Sequence, residues 1–270
     1  MLVSIITINY NNLEGLKKTR ESILAQTYKE WEWIVIDGGS TNGDREFIEA
    51  HQEEIAYWCS EKDKGVYNAQ NKGIAVAKGD YFIFMNSGDT FYNADVLASV
   101  FVEPKVDDVI YGDWIQVFDN GETRMMSAPK VFSFYFICTD NICHQAMFLK
   151  GSLMKQSPYD ESFKLYGDWA KWIEWTLKGY SFKYVPVIIC SYQMGGMSVN
   201  QKQLIEKETQ RLHTEVIPSA MQISIEEMDK LMKTPDRMHP LSKEADRLIK
   251  KKNIYRKMIH MTIRLIHLME

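Results

Sequence analysis

The sequence predicts an α/β protein built on a mostly parallel, twisted sheet flanked by helices. Three observations carry that prediction. Short apolar runs alternate with helix-spaced segments over the first ninety residues, the pattern of an open parallel sheet wound with helices. The runs are apolar throughout instead of alternating with polar residues, as strands buried on both faces are. Polar or glycine-rich sequence follows them, at Asn9, at Asp37-Gly38-Gly39-Ser40 and at Asn86-Ser87-Gly88-Asp89.

Taken in order, residues 2–8 are a β-branched apolar run that suits a first buried strand, and Asn9, Asn11 and Asn12 make the turn after it. Leu13, Leu16, Ile23 and Leu24 fall at helical spacing over residues 13–27. A second strand follows at 33–36, a helix over about 45–54, a short strand over 55–59 and a loop over 61–65. The next helix spans 67–77 and ends by Gly79, ahead of a buried strand at 81–85. In such sheets ligands occupy the crevice outside the carboxyl ends of the strands, so Asn9, Asp37, the loop at Asp63 and Asp89 are expected to face one pocket. The second half is less regular, with an aromatic-rich stretch over 131–137 and a strand-like run over 184–192; it is expected to shape the other side of that pocket. Gly195-Gly196-Met197-Ser198 after that run reads either as a flexible lid or as a plain turn.

Residues 1–200 are expected to form the main domain, and 201–270 a C-terminal helical extension. From about residue 241 the extension carries eight Lys or Arg against three Asp or Glu. Ile254, Met258, Met261, Leu265 and Leu268 recur at spacings of three and four, which makes the tail a basic amphipathic helix. Two readings of it stay open: it lies on an anionic membrane surface, or its apolar stripe packs on the domain or on a second copy of the chain.

The 270 residues and 45% hydrophobic content suit one large domain with a tail. A net charge of −4 supplies no basic field to attract nucleic acid, which is excluded as a partner. Cys59, Cys138, Cys143 and Cys190 form no C-x-x-C pair and read as buried thiols. The first residues lack a signal peptide's basic region and cleavage site, and no apolar run approaches a membrane span, so a cytoplasmic location is expected, peripheral on the inner face of the membrane if the tail binds there.

Three carboxylates stand where chemistry could use them. Asp37 ends a buried strand in a glycine-rich turn, where an acceptor-only group can take hydrogen bonds from a uracil N–H or a ribose hydroxyl. Asp89 follows the strand at 81–85, a place for a hard oxygen ligand to hold Mg²⁺ or Mn²⁺ against two phosphates. Asp168, in Tyr166-Gly167-Asp168-Trp169, stands just before a helix whose Trp169, Trp172, Ile173 and Leu177 make an apolar face, and such a fixed carboxylate suits a general base. Each also has an ordinary reading, as a turn residue or a helix cap; the combination favours chemistry.

The stretches VSIITINYNN, WEWIVIDGGSTNGD, SEKDKGVYNAQNKGIAVAKGDYFIFMNSGD, CHQAMFLK and YGDWAKWIEW resemble the family 2 glycosyltransferases, in particular the bacterial type of polysaccharide and O-antigen synthesis. The resemblance spans most of residues 1–200. It implies a GT-A fold, with a Rossmann-like nucleotide-binding half and an acceptor half, a divalent metal (Mn²⁺ or Mg²⁺), a nucleotide-sugar donor, usually a UDP-sugar, and inversion at the anomeric carbon. The acceptor it implies is a saccharide or lipid-linked saccharide. Carried over position by position, Thr7, Asn9 and Tyr10 resemble first-strand nucleotide contacts and Asp37 the base-binding aspartate. Asp63, Tyr67, Asn71 and Lys72 fall in the donor-side loop and helix. Asp89 resembles the last carboxylate of the metal motif, and Asp168 the aspartate that deprotonates the acceptor. His144 and Gln145 match a recurring His-Gln, assigned to the acceptor or diphosphate pocket.

The sequence departs from the pattern twice. Where many relatives carry a D-x-D-D-like run, this chain has Asn86-Ser87-Gly88-Asp89, and where many place Glu before the base, it has Gly167. Competing readings fit less well. A nucleotidyltransferase needs a glycine-rich phosphate loop after the first strand, where this chain reads INYNNLEG, and no G-x-G-x-x-G follows a strand as a dehydrogenase would require. The alternative from another class is a catalytically idle nucleotide-sugar-binding or scaffolding protein, which the joint presence of Asp37, Asp89 and Asp168 opposes.

Overall fold

The computed structural model describes residues 1–195, 201–219, 221, 222 and 225. Met1–Ile217 form one compact unit and Pro218–Glu270 a second. The basic tail over 241–270 and residues 196–198 of the glycine-rich turn lie outside the described residues.

The first unit begins with β1 (Val3–Asn9), α1 (Leu13–Leu24), β2 (Trp31–Asp37), α2 (Asp44–Ala50), β3 (Tyr57–Ser60), α3 (Val66–Val76) and β4 (Tyr81–Phe84). It continues with β5 (Thr90–Phe91), α4 (Val96–Val100), β6 (Val109–Val117), β7 (Thr123–Met126), α5 (Phe134–Thr139) and β8 (Met147–Lys150). The remaining elements are α6 (Gly151–Gln156), α7 (Gly167–Leu177), β9 (Phe182–Gln193) and α8 (Lys202–Arg211). One sheet runs in the order β3-β2-β1-β4-β8-β6-β9-β5, with β7 paired to β6. Its first four strands are parallel, β8 lies antiparallel between β4 and β6, and β9 is parallel to β6.

The chain moves outward from β1 to β2 and β3, then returns to lay β4 on the other side of β1. Strand order reverses between β1 and β4, and such a reversal opens a crevice at the carboxyl ends. Register aligns the polar strand ends: Asn9 pairs with Asp37 and Asp37 with Ser60.

Val3, Ile5, Ile6, Val35 and Ile36 have no exposed surface, and burial of each such side chain stabilises the fold by about 1.5–3 kcal/mol. Helix α3 covers β1 and β2, and Gly73 permits it to sit that close, because a Cβ there would lie 2.5 Å from Ile6 Cγ2.

Some boundaries differ from the sequence expectation. The helix expected over 45–54 stops at Ala50: His51 leaves helical geometry (φ −120°), its ring nitrogen 2.8 Å from the Phe47 carbonyl, and Gln52–Glu54 form a 3₁₀ turn. Asp168, expected just ahead of a helix, is the second residue inside α7, with Tyr166 at the N-cap. The aromatic stretch at 131–137 yields α5, capped by Ser133, whose hydroxyl accepts from the Phe136 N–H at 3.1 Å.

Candidate active site

A cavity of about 630 Å³ is lined by Tyr67, Asn86, Asp89, His144, Gln145 and Asp168, among others. These residues come from α3, from the turn after β4, from the 3₁₀ turn His144–Ala146 and from the start of α7. The turn after β4 is fastened to α1. Asn12 Nδ2 donates to the Ser87 carbonyl at 2.9 Å, the Ser87 hydroxyl donates to the Asn12 carbonyl at 3.0 Å, and the Thr19 hydroxyl donates to the Asp89 carbonyl at 2.7 Å. Gly88 supplies the left-handed residue of the turn, with φ +106°.

Asp89 is almost fully buried. Its Oδ2 accepts from Gln145 Nε2 at 2.7 Å and its Oδ1 from the Gln193 N–H at 3.0 Å. Burial dominates over these two donors and lifts its pKa to about 6. Gln145 is in turn oriented by the Cys143 thiol, which donates to its Oε1 at 2.8 Å.

Asp168 is held from three sides. Oδ1 accepts from the Trp169 N–H at 2.7 Å and lies 3.2 Å from the Tyr67 hydroxyl, and Oδ2 lies 2.9 Å from His144 Nδ1. The other ring nitrogen, His144 Nε2, is 3.1 Å from Asn86 Nδ2. The Tyr67 hydroxyl also donates to the Leu165 carbonyl at 2.6 Å, and burial and the nearby Asp168 push the phenol well above its ordinary pKa. It is a fixed neutral group.

A second polar cluster sits at the ends of β1, β2 and β3. Asp37 is fully buried and accepts from Asn9 Nδ2 (2.8 Å), the Ser40 hydroxyl (2.5 Å), the Ser40 N–H (2.9 Å), the Gly39 N–H (3.2 Å) and the Ser60 hydroxyl (2.6 Å). Burial alone would raise its pKa, but these donors prevail and leave it below the usual carboxylate range. All the acceptor positions of Asp37 are filled, so a ligand reaches it by displacing the Ser40 or Ser60 hydroxyl. Tyr10 is 66% exposed beside this cluster, and Asp63 faces Gly38, where a Cβ would lie 2.7 Å from Asp63 Oδ2.

The structure therefore gathers Tyr67, Asp89, His144, Gln145 and Asp168 around one cavity, and Asn9, Tyr10, Asp37 and Asp63 around the β1–β2 end. The single pocket expected for Asn9, Asp37, Asp63 and Asp89 resolves into these two groups. Thr7 faces neither: it is fully buried, and its hydroxyl accepts from the Trp33 indole at 2.9 Å. Asn71 is engaged with the Tyr159 backbone and Glu161, and Lys72 with Glu61 at 2.8 Å. Gln193 and Glu208 are absent from the sequence expectations, which carry Asn86 only as part of the Asn86-Ser87-Gly88-Asp89 run. Glu208 of α8 accepts from the N–H groups of Lys164, Leu165 and Tyr166 at 2.6–2.9 Å, and so fixes the cavity wall leading into α7. No local motif marks it, because its partners lie more than 40 residues away.

The donor set for a divalent cation is sparse. No three His, Cys, Asp or Glu among the described residues gather as a closed metal site. Asp89 borders the cavity, however, and Asn86 Oδ1 is buried there with no hydrogen-bond partner. One carboxylate and one amide oxygen fit a hard cation that takes its other ligands from substrate phosphates and water.

The family model for glycosyl transferase family 2 matches residues 4–162. An uncharacterised glycosyltransferase of Mycobacterium tuberculosis is 37% identical over 175 residues, covering 62% of this chain and 65% of that relative. A PGL/p-HBAD biosynthesis glycosyltransferase of Mycobacterium bovis is 30% identical over 220 residues, covering 77% of this chain and 82% of its own length. Among solved structures, S. aureus TarS 1–349 in complex with UDP-GlcNAc superposes with a TM-score of 0.60 at 17% identity, over 83% of this chain and 70% of that one. The mannosyltransferase PcManGT of Pyrobaculum calidifontis, in complex with GDP-Man and Mn²⁺, gives a TM-score of 0.53 at 16% identity, over 98% and 84%. The fold is that of the GT-A glycosyltransferases. With more than half of its length matched by the family model, the chain belongs to glycosyl transferase family 2.

Proposed function

We propose that this glycosyltransferase moves a sugar, with inversion at C1, from a UDP-sugar to a hydroxyl of a saccharide or lipid-linked saccharide in cell-surface polysaccharide synthesis. The observation that carries the reading is the placement of Asp168 and Asp89 on one cavity, a base for the acceptor and a carboxylate that would hold the cation facing the diphosphate. Asp168 takes the proton of the acceptor hydroxyl as the oxygen attacks C1 and the bond from C1 to the diphosphate oxygen breaks. Exposed Tyr10 offers a face on which the nucleotide base stacks, and Asp37 with its serines reads the polar edge of the base or the ribose. A bound Mn²⁺ or Mg²⁺, held by Asp89 and Asn86 Oδ1 with the donor phosphates, would supply charge neutralisation for the departing diphosphate. The TarS and PcManGT complexes with UDP-GlcNAc and with GDP-Man and Mn²⁺ support a nucleotide-sugar donor and a divalent cation. The catalytic domain of this proposal comprises residues 1–200, braced through Glu208 by α8, which lies in the same compact unit. In the same proposal the basic tail lies on an anionic membrane surface: sedimentation with anionic vesicles should be lost on deleting residues 241–270, and equal sedimentation without them would dispose of that role.

The test is a thermal-shift screen of UDP, GDP, CMP and their sugars, each with and without Mn²⁺, since a ligand of the native state raises its melting temperature by mass action. A Mn²⁺-dependent rise with UDP and one UDP-sugar is expected. A folded sample that responds to none of them would favour the idle scaffold.

A further inference from the structure

The cavity joins its two ends through one imidazole. His144 stands between Asn86 Nδ2 at 3.1 Å and Asp168 Oδ2 at 2.9 Å. A carboxylate only accepts and an amide NH₂ only donates, so the arrangement is consistent in one neutral tautomer: Nδ1 carries the proton and donates to Asp168, and bare Nε2 accepts from Asn86. Asn86 presents its Nδ2 to the ring, and its Oδ1 is buried without a hydrogen-bond partner.

We infer that Asn86 and His144 are positioning residues that set which oxygen of Asp168 acts as the base, a reading that rests on Asp168 being the base. Oδ1 is occupied by the Trp169 N–H and faces the Tyr67 hydroxyl, whereas Oδ2 has the single His144 donor and keeps a lone pair for the acceptor proton. The proton of the acceptor hydroxyl goes to Oδ2, and the His144 Nδ1–H stays where it is. The departure from a carboxylate at the head of the Asn86-Ser87-Gly88-Asp89 turn thereby gains a role. A carboxylate at 86 would accept from Nε2–H and turn the tautomer over, or charge the ring; asparagine holds it as the base requires.

Two measurements on the full-length chain test this. The first is the ¹⁵N spectrum of the histidine rings, with His144 assigned by its loss in His144→Gln. A bare Nε2 and a protonated Nδ1 are expected at pH 8, and protonation of Nε2 is expected in Asn86→Asp; protonated Nε2 in the unsubstituted protein would overturn the inference. The second compares two amides at 144, using nucleotide release from the donor that supports turnover, with water as acceptor. Asn places its NH₂ near the position of Nδ1 and should keep kcat within about tenfold, whereas Gln reaches toward Nε2 and should lose about 10²-fold with KM for the donor unchanged. Equal losses in the two variants, at equal melting temperature, would also overturn it. Full turnover in Asp168→Asn would remove the base assignment and leave the tautomer result standing, so the two failures are distinct.

Discussion

Gly167 and the ring of Tyr67 share a space with room for one of them: a Cβ on Gly167 would lie 2.8 Å from Tyr67 Cε2 and 2.9 Å from Cζ. This contact leaves no room for a larger residue immediately ahead of Asp168. Gly167→Ala should displace the Tyr67 ring and cost about 1–3 kcal/mol by overpacking, read as a fall in melting temperature. A smaller residue at 67 should relieve it, so Gly167→Ala combined with Tyr67→Ser should be more stable than the sum of the single changes predicts. Additive losses would place the strain elsewhere.

Asp168→Asn removes the base proposed above while preserving its size. The helix start remains, since Tyr166 and not Asp168 is the N-cap. Turnover should fall by about 10²–10⁴-fold, the usual range for losing a general base, while the melting-temperature rise with UDP is unchanged. Undiminished turnover would mean that another group takes the proton.

Much of this was legible in the sequence, and for identifiable reasons. The runs containing Val3, Ile34 and Phe82 are mostly apolar because both faces of those strands are covered, and the Asp37 and Asp89 turns sit where the strands must end. What the sequence could not carry is pairing between distant segments. In the sequence Asp37 is a carboxylate in a glycine-rich turn; in the fold Ser60, 23 residues on, and Asn9, 28 residues back, close around it. Thr7 matched a ligand position, but its hydroxyl is held by the Trp33 indole of the neighbouring strand. Helix boundaries erred where one side chain competes with the backbone, as His51 does at the end of α2.

Asp37 gives a pH dependence whose sign follows from its donors. Its folded pKa is below the unfolded value of about 3.9, so its contribution is present above that value and is lost as pH falls through the folded one. Asp37→Asn should lower the melting temperature at pH 7, because an amide NH₂ replaces one acceptor oxygen among donors. The gap between the two proteins should narrow as pH drops from about 5 toward 3. A gap that stayed constant over that range would show that Asp37 has the same pKa folded and unfolded.

Glu208 should matter to the reaction although it touches none of the reacting groups. It is 3% exposed and ties three successive backbone N–H groups, those of Lys164, Leu165 and Tyr166, to α8. Those residues line the cavity immediately before α7 delivers Asp168. Glu208→Ala leaves three donors without their acceptor, at a cost of about 2–4 kcal/mol if water reaches only some of them. Loss of the brace frees the Leu165 carbonyl and Tyr67 hydroxyl pair to shift, and with them the start of α7. Turnover should fall more than the stability loss alone explains at a temperature well below unfolding, while Glu208→Gln, which keeps one acceptor oxygen, should retain an intermediate rate. Hydrogen exchange supplies the check: the amides of residues 164–166 should exchange faster in Glu208→Ala, and unchanged protection there would mean that α8 does not hold the cavity wall.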